Sequence, residues 1–220
     1  MGDGERTHDG TNVKPPPFNL TAIDHKLLAM KDEDFHELQW DDLKDIIGRN
    51  DLEGLKRRPS DLRRYLAWST ATKEEYGSMT NFVLKNRLHW TPLPSTGASE
   101  GPKFAFKNPT PFADPDDFRI LINDWPYGLA PGIVHLCIWT KTPIAVDERT
   151  GDLTKEARGL VERFVTRTFA EPLTRGEGEE RERVLWFKNW VALQSVRGVD
   201  HVHVLVRDPP LDVLERWISL

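Results

Sequence analysis

Trp186-Phe-Lys-Asn-Trp-Val-Ala-Leu-Gln-Ser-Val-Arg-Gly-Val-Asp-His-Val-His-Val-Leu-Val-Arg-Asp208 is the stretch that decides the fold. It reads as two short strands joined by a turn. In the second strand His201, His203, Leu205 and Arg207 share one face, and Val202, Val204 and Val206 share the other, because strand side chains alternate with period two. A valine face calls for a covering core, so the imidazoles look at whatever lies opposite. Paired imidazoles preceded by Asp200 can accept, donate and shuttle protons near neutral pH. A single strand histidine is more often a hydrogen-bonded packing residue; the i, i+2 spacing between valines raises this pair above that reading.

Outward from this stretch, the strand pattern recurs. Phe118-Arg-Ile-Leu-Ile-Asn123 and Ile133 to Thr140 read as a hairpin, joined by Asp124-Trp-Pro-Tyr-Gly-Leu-Ala-Pro-Gly132. Pro126 and Pro131 fix their own φ and restrict the residue before each, so this loop is stiff and suits presentation of side chains. Asp152 caps a helix from Leu153 to about Phe169, whose Leu160, Val161, Phe164, Val165 and Phe169 form an apolar stripe for the sheet. Glu171 to Arg183 reads as a solvated loop, and Leu211 to Leu220 as a closing helix. The order strand, strand, helix, strand, strand predicts an α+β fold with a mostly antiparallel sheet.

The N-terminal half is helical in texture. Residues 1–17 end in Pro15-Pro16-Pro17 and read as a disordered tail. Short amphipathic segments span Thr21 to Gly48. Ser60 is the expected N-cap of a helix from Asp61 to about Tyr76, with Leu62, Tyr65, Leu66 and Ser69 on one face. Gly77 breaks it, and Ser78 to His89 continues as a second helix. Residues 18–90 thus form a helical layer, 91–111 a connector with a possible strand at Phe104-Ala-Phe106, and 112–220 the α+β core, all in one compact unit.

The 220 residues carry 38% hydrophobic content, enough for one substantial core. No apolar run is long enough to span a membrane, and the polar N-terminus lacks a signal-like segment. Cys137 is the only cysteine, so no intrachain disulfide can form, and a reducing, cytoplasmic setting fits. The net charge of −5 does not advertise a nucleic-acid binder. Basic residues are nonetheless dense at Lys56, Arg57, Arg58, Arg63 and Arg64. The 8 tryptophans are a heavy load, and some are expected to line a pocket.

Two resemblances follow from these residues. Asn189, Gln194-Ser195 and His201-Val-His203 resemble the histidine-triad superfamily, which includes galactose-1-phosphate uridylyltransferase. That implies a histidine-triad-like β-β-α-β-β core and puts His203 at the nucleotidyl-accepting position. Leu205 departs from the pattern, since it cannot hydrogen-bond a phosphate. From about Trp40 onward, Asn123-Asp-Trp-Pro-Tyr-Gly128, Ile133-Val-His-Leu-Cys-Ile-Trp-Thr-Lys141 and Val199-Asp-His-Val-His-Val-Leu-Val-Arg-Asp-Pro209 resemble the fungal N-acetylglucosamine-induced protein family, a domain of unknown function. Some proteins like this family are arginine-containing cyclodipeptide synthases that use aminoacyl-tRNAs. The resemblance implies an arginyl-tRNA and a second charged tRNA as partners.

Such chemistry starts from an activated ester and needs neither ATP nor a metal, so no cofactor is expected. His203 is the candidate base, or a nucleophile through an acyl-imidazole, oriented by His201 or Asp200. Ser195 is the hydroxyl alternative. Asn189 and backbone N–H groups near Gly198 are oxyanion candidates. A guanidinium is best held by a carboxylate beside aromatic faces, which Asp124, Trp125 and Tyr127 supply, next to Asn123. Lys141 could meet an RNA phosphate, and His135 could face the same cleft; a solvated lysine and a core histidine are the plainer readings. The competing functions are nucleotide or nucleotide-sugar transfer on the same core, and a non-catalytic binding protein of amino-sugar response.

Overall fold

The structure, a computed structural model, describes residues 20–94, 101–173 and 183–220. The expected N-terminal tail and the middle of the acidic loop lie outside them. Four antiparallel strands form one sheet: β1 (Phe118–Ile122), β2 (Ile133–Thr140), β3 (Val184–Phe187) and β4 (His201–Arg207), in spatial order β1-β2-β4-β3. With α5 (Lys155–Val165) between β2 and β3, the expected β-β-α-β-β order and the α+β class are observed.

Alternation along β2 and β4 divides the sheet into two faces. Leu136, Ile138, Val202, Val204 and Val206 are all fully buried on one face, against α5 and α6 (Leu211–Ile218). Val161, Phe164 and Phe169 supply the expected stripe. Burying each such side chain is worth about 1.5–3 kcal/mol. The cap differs from expectation: Thr154 accepts from the Ala157 N–H at 3.1 Å, whereas the Asp152 carboxylate accepts from Leu153 N–H and pairs with Arg158. A π-helical turn, Thr166–Ala170, extends α5 far enough to bring Phe169 under Trp217.

The opposite face carries His135, Cys137, Trp139, His201, His203 and Leu205, and the helical layer covers it. That layer comprises α1 (Ala22–Ala29), α2 (Trp40–Gly48), α3 (Pro59–Tyr76) and α4 (Met79–Val83), the last prolonged by a π turn at Leu84–Leu88. Trp40 and Leu43 of α2 pack with Phe187 and Leu205. Met79, Val83 and Leu84 pack with Cys137, Trp139, Val196 and Val199. The helix α3 begins one residue before the expected Ser60 cap, because Pro59 takes the first helical position, where its missing N–H costs nothing. Gly77 ends it in the left-handed region at φ 77°.

Two expectations fail. Phe104-Ala-Phe106 forms no strand; instead Phe104 packs edge-on against Trp90. The segment between β3 and β4, residues 188–200, is not a tight turn but a long excursion with a 3-10 turn at Val191–Leu193. That excursion carries Asn189 and Ser195 over the histidine face. No helix among the described residues is long and apolar enough to cross a membrane.

Candidate functional site

Register sets the site. Cys137 stands opposite His203, and Trp139 opposite His201, across the β2–β4 ladder. His201 stacks on Trp139 with centroids 4.3 Å apart, and His203 lies flat on Phe187 at 4.9 Å. Behind them Tyr127 stacks on His135 at 5.2 Å. Cross-strand aromatic pairs of this kind fix ring planes before any ligand arrives.

The two β4 histidines use their nitrogens differently. His203 Nδ1 lies 2.9 Å from His135 Nε2 and 3.4 Å from Cys137 Sγ, and its Nε2 lies 3.2 Å from the Asn189 amide. Both of its nitrogens are therefore engaged by protein. His201 Nδ1 lies 2.9 Å from the Val199 carbonyl oxygen, and only an N–H can satisfy that acceptor. This fixes the tautomer and leaves His201 Nε2 as the bare lone pair, with no partner among the described residues.

Burial holds all three imidazoles neutral. His135 is lowered to about 3 and His201 to about 4, and His203 well below its ordinary value, with the charges of neighbouring histidines adding to the burial effect. Burial likewise raises the Cys137 thiol and the Tyr127 phenol. His135 Nε2, Cys137 Sγ and His203 Nδ1 lie within 4.8 Å of one another, a donor set of the type that takes zinc. His203 Nδ1 stands at hydrogen-bond distance from both of the others.

A cavity of about 90 Å³ opens above these rings. Its walls include His201, His203, Ser195, Trp139 and, across the hollow, the Asn123–Tyr127 bend. Beside it lies a cavity of about 790 Å³ under α1 and α3, and Arg57, Tyr65, Met79, Tyr127 and Ser195 belong to both. The result is a broad chamber adjoining a narrow one that holds the imidazoles.

Residues 39–207 match the protein family described as "Protein of unknown function (DUF3605)". The chain belongs to this family. Similar proteins include N-acetylglucosamine-induced protein 1 of Candida albicans, 30% identical over 82% of this chain and 72% of that protein. Another is the uncharacterized protein YPL067C of Saccharomyces cerevisiae, 30% identical over 78% of this chain and 79% of that protein. Among solved structures, the crystal structure of HTC1 superposes with a TM-score of 0.59 at 25% identity, covering 82% of this chain and 93% of that one.

This DUF3605 site gathers His201, His203, Ser195, Asn123, Asp124, Trp125 and Tyr127 around one cavity. Other candidates fall elsewhere. Asp200 does not orient an imidazole: its carboxylate meets Lys188 Nζ at 3.1 Å and the Ile144 N–H at 3.1 Å. It shares the parity of Val202 and Val204, so strand alternation points it away from the imidazole face. Asn189 is buried between Tyr127 Oη and His203 Nε2, so it positions rings instead of facing a ligand. Its Oδ1 is buried with no partner among the described residues. His135 supports His203 from below, and Lys141 reaches the Asp116 carbonyl and the Trp90 face, away from the cavity.

The bend also differs in detail from expectation. Asn123 Oδ1 accepts from the Trp125 N–H at 2.9 Å, closing an Asx turn, while its amide nitrogen meets the His135 ring. Trp125 packs on Trp68 and Tyr65. The Asp124 carboxylate already holds a guanidinium, that of Arg87 at 2.8 Å. Sequence reading passed over Arg87 and did not separate Arg57 from its basic run. Nothing local marks Arg87, whereas Arg57 was visible as charge without a location.

Proposed function

We propose that this protein is an aminoacyl-tRNA-dependent cyclodipeptide synthase that forms a cyclo-arginyl diketopiperazine by two successive aminolysis steps. The observation that carries this reading is the pair of connected chambers. A bulky carrier end fits the broad one and a small reacting ester the narrow one, where His201 offers a bare nitrogen.

In the first step the α-amine of one aminoacyl-tRNA attacks the ester carbonyl of another. His201 Nε2 takes the proton lost by the amine, and the ester C–O bond breaks as the tRNA hydroxyl leaves and is protonated. The dipeptidyl ester then closes on its own amine by the same exchange, which releases the second tRNA and gains from being intramolecular. The aromatic walls exclude water from an ester prone to hydrolysis. The Arg87–Asp124 pair supports arginine as one substrate, because a substrate guanidinium could exchange for Arg87 on the same carboxylate.

Nucleotidyl transfer is served less well. His203 has both nitrogens occupied, and Leu205 is fully buried against α2. The test is incubation with charged tRNAs and mass analysis of small products, with and without ribonuclease. An arginine-containing diketopiperazine that vanishes with ribonuclease supports the reading. Its absence with fully charged arginyl-tRNA present overturns it.

A further inference from the structure

Arg57 stands at the neck between the two cavities and lines both. Its guanidinium is fixed on two sides. Nε donates to the Trp125 carbonyl at 3.2 Å, and the flat face covers the Tyr65 ring at 4.2 Å, with the Tyr127 ring at 5.6 Å. A guanidinium pinned through Nε and one face still presents its two terminal nitrogens as a fork.

Three neighbouring arginines differ from it in being paired with a carboxylate. Arg58 pairs with Glu37, Arg64 with Asp61 and Arg87 with Asp124, while Arg63 donates to the carbonyls of Leu28 and Met30. Arg57 has no carboxylate partner among the described residues. A half-buried cation held rigid without a counter-charge is costly, and a bound anion offsets that cost. Lys56, Lys73 and Arg197 also line the broad chamber, against Asp24 and Glu53 on the acidic side. The balance of charge there is positive.

We infer that Arg57 is the anchor of an anion-binding site at this neck, taking an oxyanion of the ligand, a phosphate or a carboxylate, on its free fork. The two cavities then have a division of labour: the fork fixes the charged portion of a ligand and leaves its reactive end beside His201. Under the synthase reading, on which this last assignment rests, the anion is the phosphate of the nucleotide that bears the acyl group. The anion site itself is independent of that reading, because it is measured without turnover.

The experiment is isothermal titration of the full chain with inorganic phosphate, adenosine monophosphate and acetate, for the natural protein, Arg57→Gln and Arg57→Lys. Thermal melting of each variant checks the fold. Phosphate and the nucleotide should bind at millimolar concentration or tighter, and Arg57→Gln should weaken both at least tenfold. Arg57→Lys keeps the charge and loses the fork, so it should bind detectably but more weakly than the natural chain; it decides the matter if the glutamine variant fails to fold. Tighter binding of acetate than of phosphate assigns the site to a carboxylate. If the natural chain binds none of the three, or the folded variants bind as it does, the inference is overturned. A failed synthase assay leaves these results untouched.

Discussion

His201 Nδ1 lies 2.9 Å from the carbonyl oxygen of Val199, so one hydrogen bond two residues back along the chain decides which imidazole nitrogen is available to a ligand. Replacement of His201 by Ala should lower kcat in the diketopiperazine assay by about 10²–10⁴ with a smaller change in KM, the loss expected for a proton acceptor in aminolysis. An equal loss of kcat on His203→Gln, with His201→Ala active, would reverse the assignment of roles.

Asn189 predicts a tautomer. As placed, its Oδ1 is buried with no partner among the described residues, while its nitrogen faces both Tyr127 Oη and His203 Nε2. Donation from that nitrogen requires His203 to accept at Nε2 and to carry its proton on Nδ1, which faces His135 and Cys137. Long-range nitrogen-15 NMR should find His203 in that form. The variant Asn189→Ala should destabilise by about 1–3 kcal/mol in urea titration, since two buried groups lose their partner.

The buried imidazoles set a pH dependence of stability. Their folded pKa values lie below the ordinary 6.5, at about 3 for His135 and about 4 for His201, with His203 also depressed. Below pH 6.5 the unfolded chain therefore binds protons that the folded chain refuses. Stability is complete above that pH and falls as pH drops toward 4, at up to roughly 4 kcal/mol per pH unit for three such groups. Denaturation midpoints at pH 7.5, 6 and 5 check this; a flat profile contradicts it.

Gly128 ties the bend to the helical layer. Its N–H donates to the Lys56 carbonyl at 2.8 Å and its carbonyl accepts from Leu38 N–H at 2.8 Å. A Cβ there would strike the Phe35 ring. Gly128→Ala should destabilise by about 1–3 kcal/mol, read as a lowered thermal midpoint, and should disturb the emission of Trp125 nearby.

Asp124→Asn removes the charge that holds Arg87. Because the carboxylate is exposed, the fold should be little affected. KM for arginyl-tRNA should rise several-fold with kcat nearly retained. An unchanged KM would remove Asp124 from substrate recognition.

What could be read from the residues was what is local. Alternation over 201–207 announced both the core face and the imidazole face, and the apolar stripe of α5 announced what covers the valines. Roles assigned by sequence adjacency fared worse. Asp200 directly precedes His201 yet turns to Lys188 and Ile144, and His135, distant in the chain, is the true neighbour of His203. Arg57 illustrates the same limit: five basic residues in one run look alike until tertiary contacts neutralise some and not others. The start of α3 was missed by two residues, Pro59 for the expected Asp61, because proline and serine both make good helix beginnings.

The two-sidedness of β4 constrains how this protein can diverge. A single inserted residue within His201–Arg207 would trade hydrocarbon for imidazole across the sheet, so folding and chemistry would be lost in one stroke. The excursion at 188–200 has no such parity. Changes of length among relatives are therefore expected to accumulate there, and with them any differences in what each protein accepts.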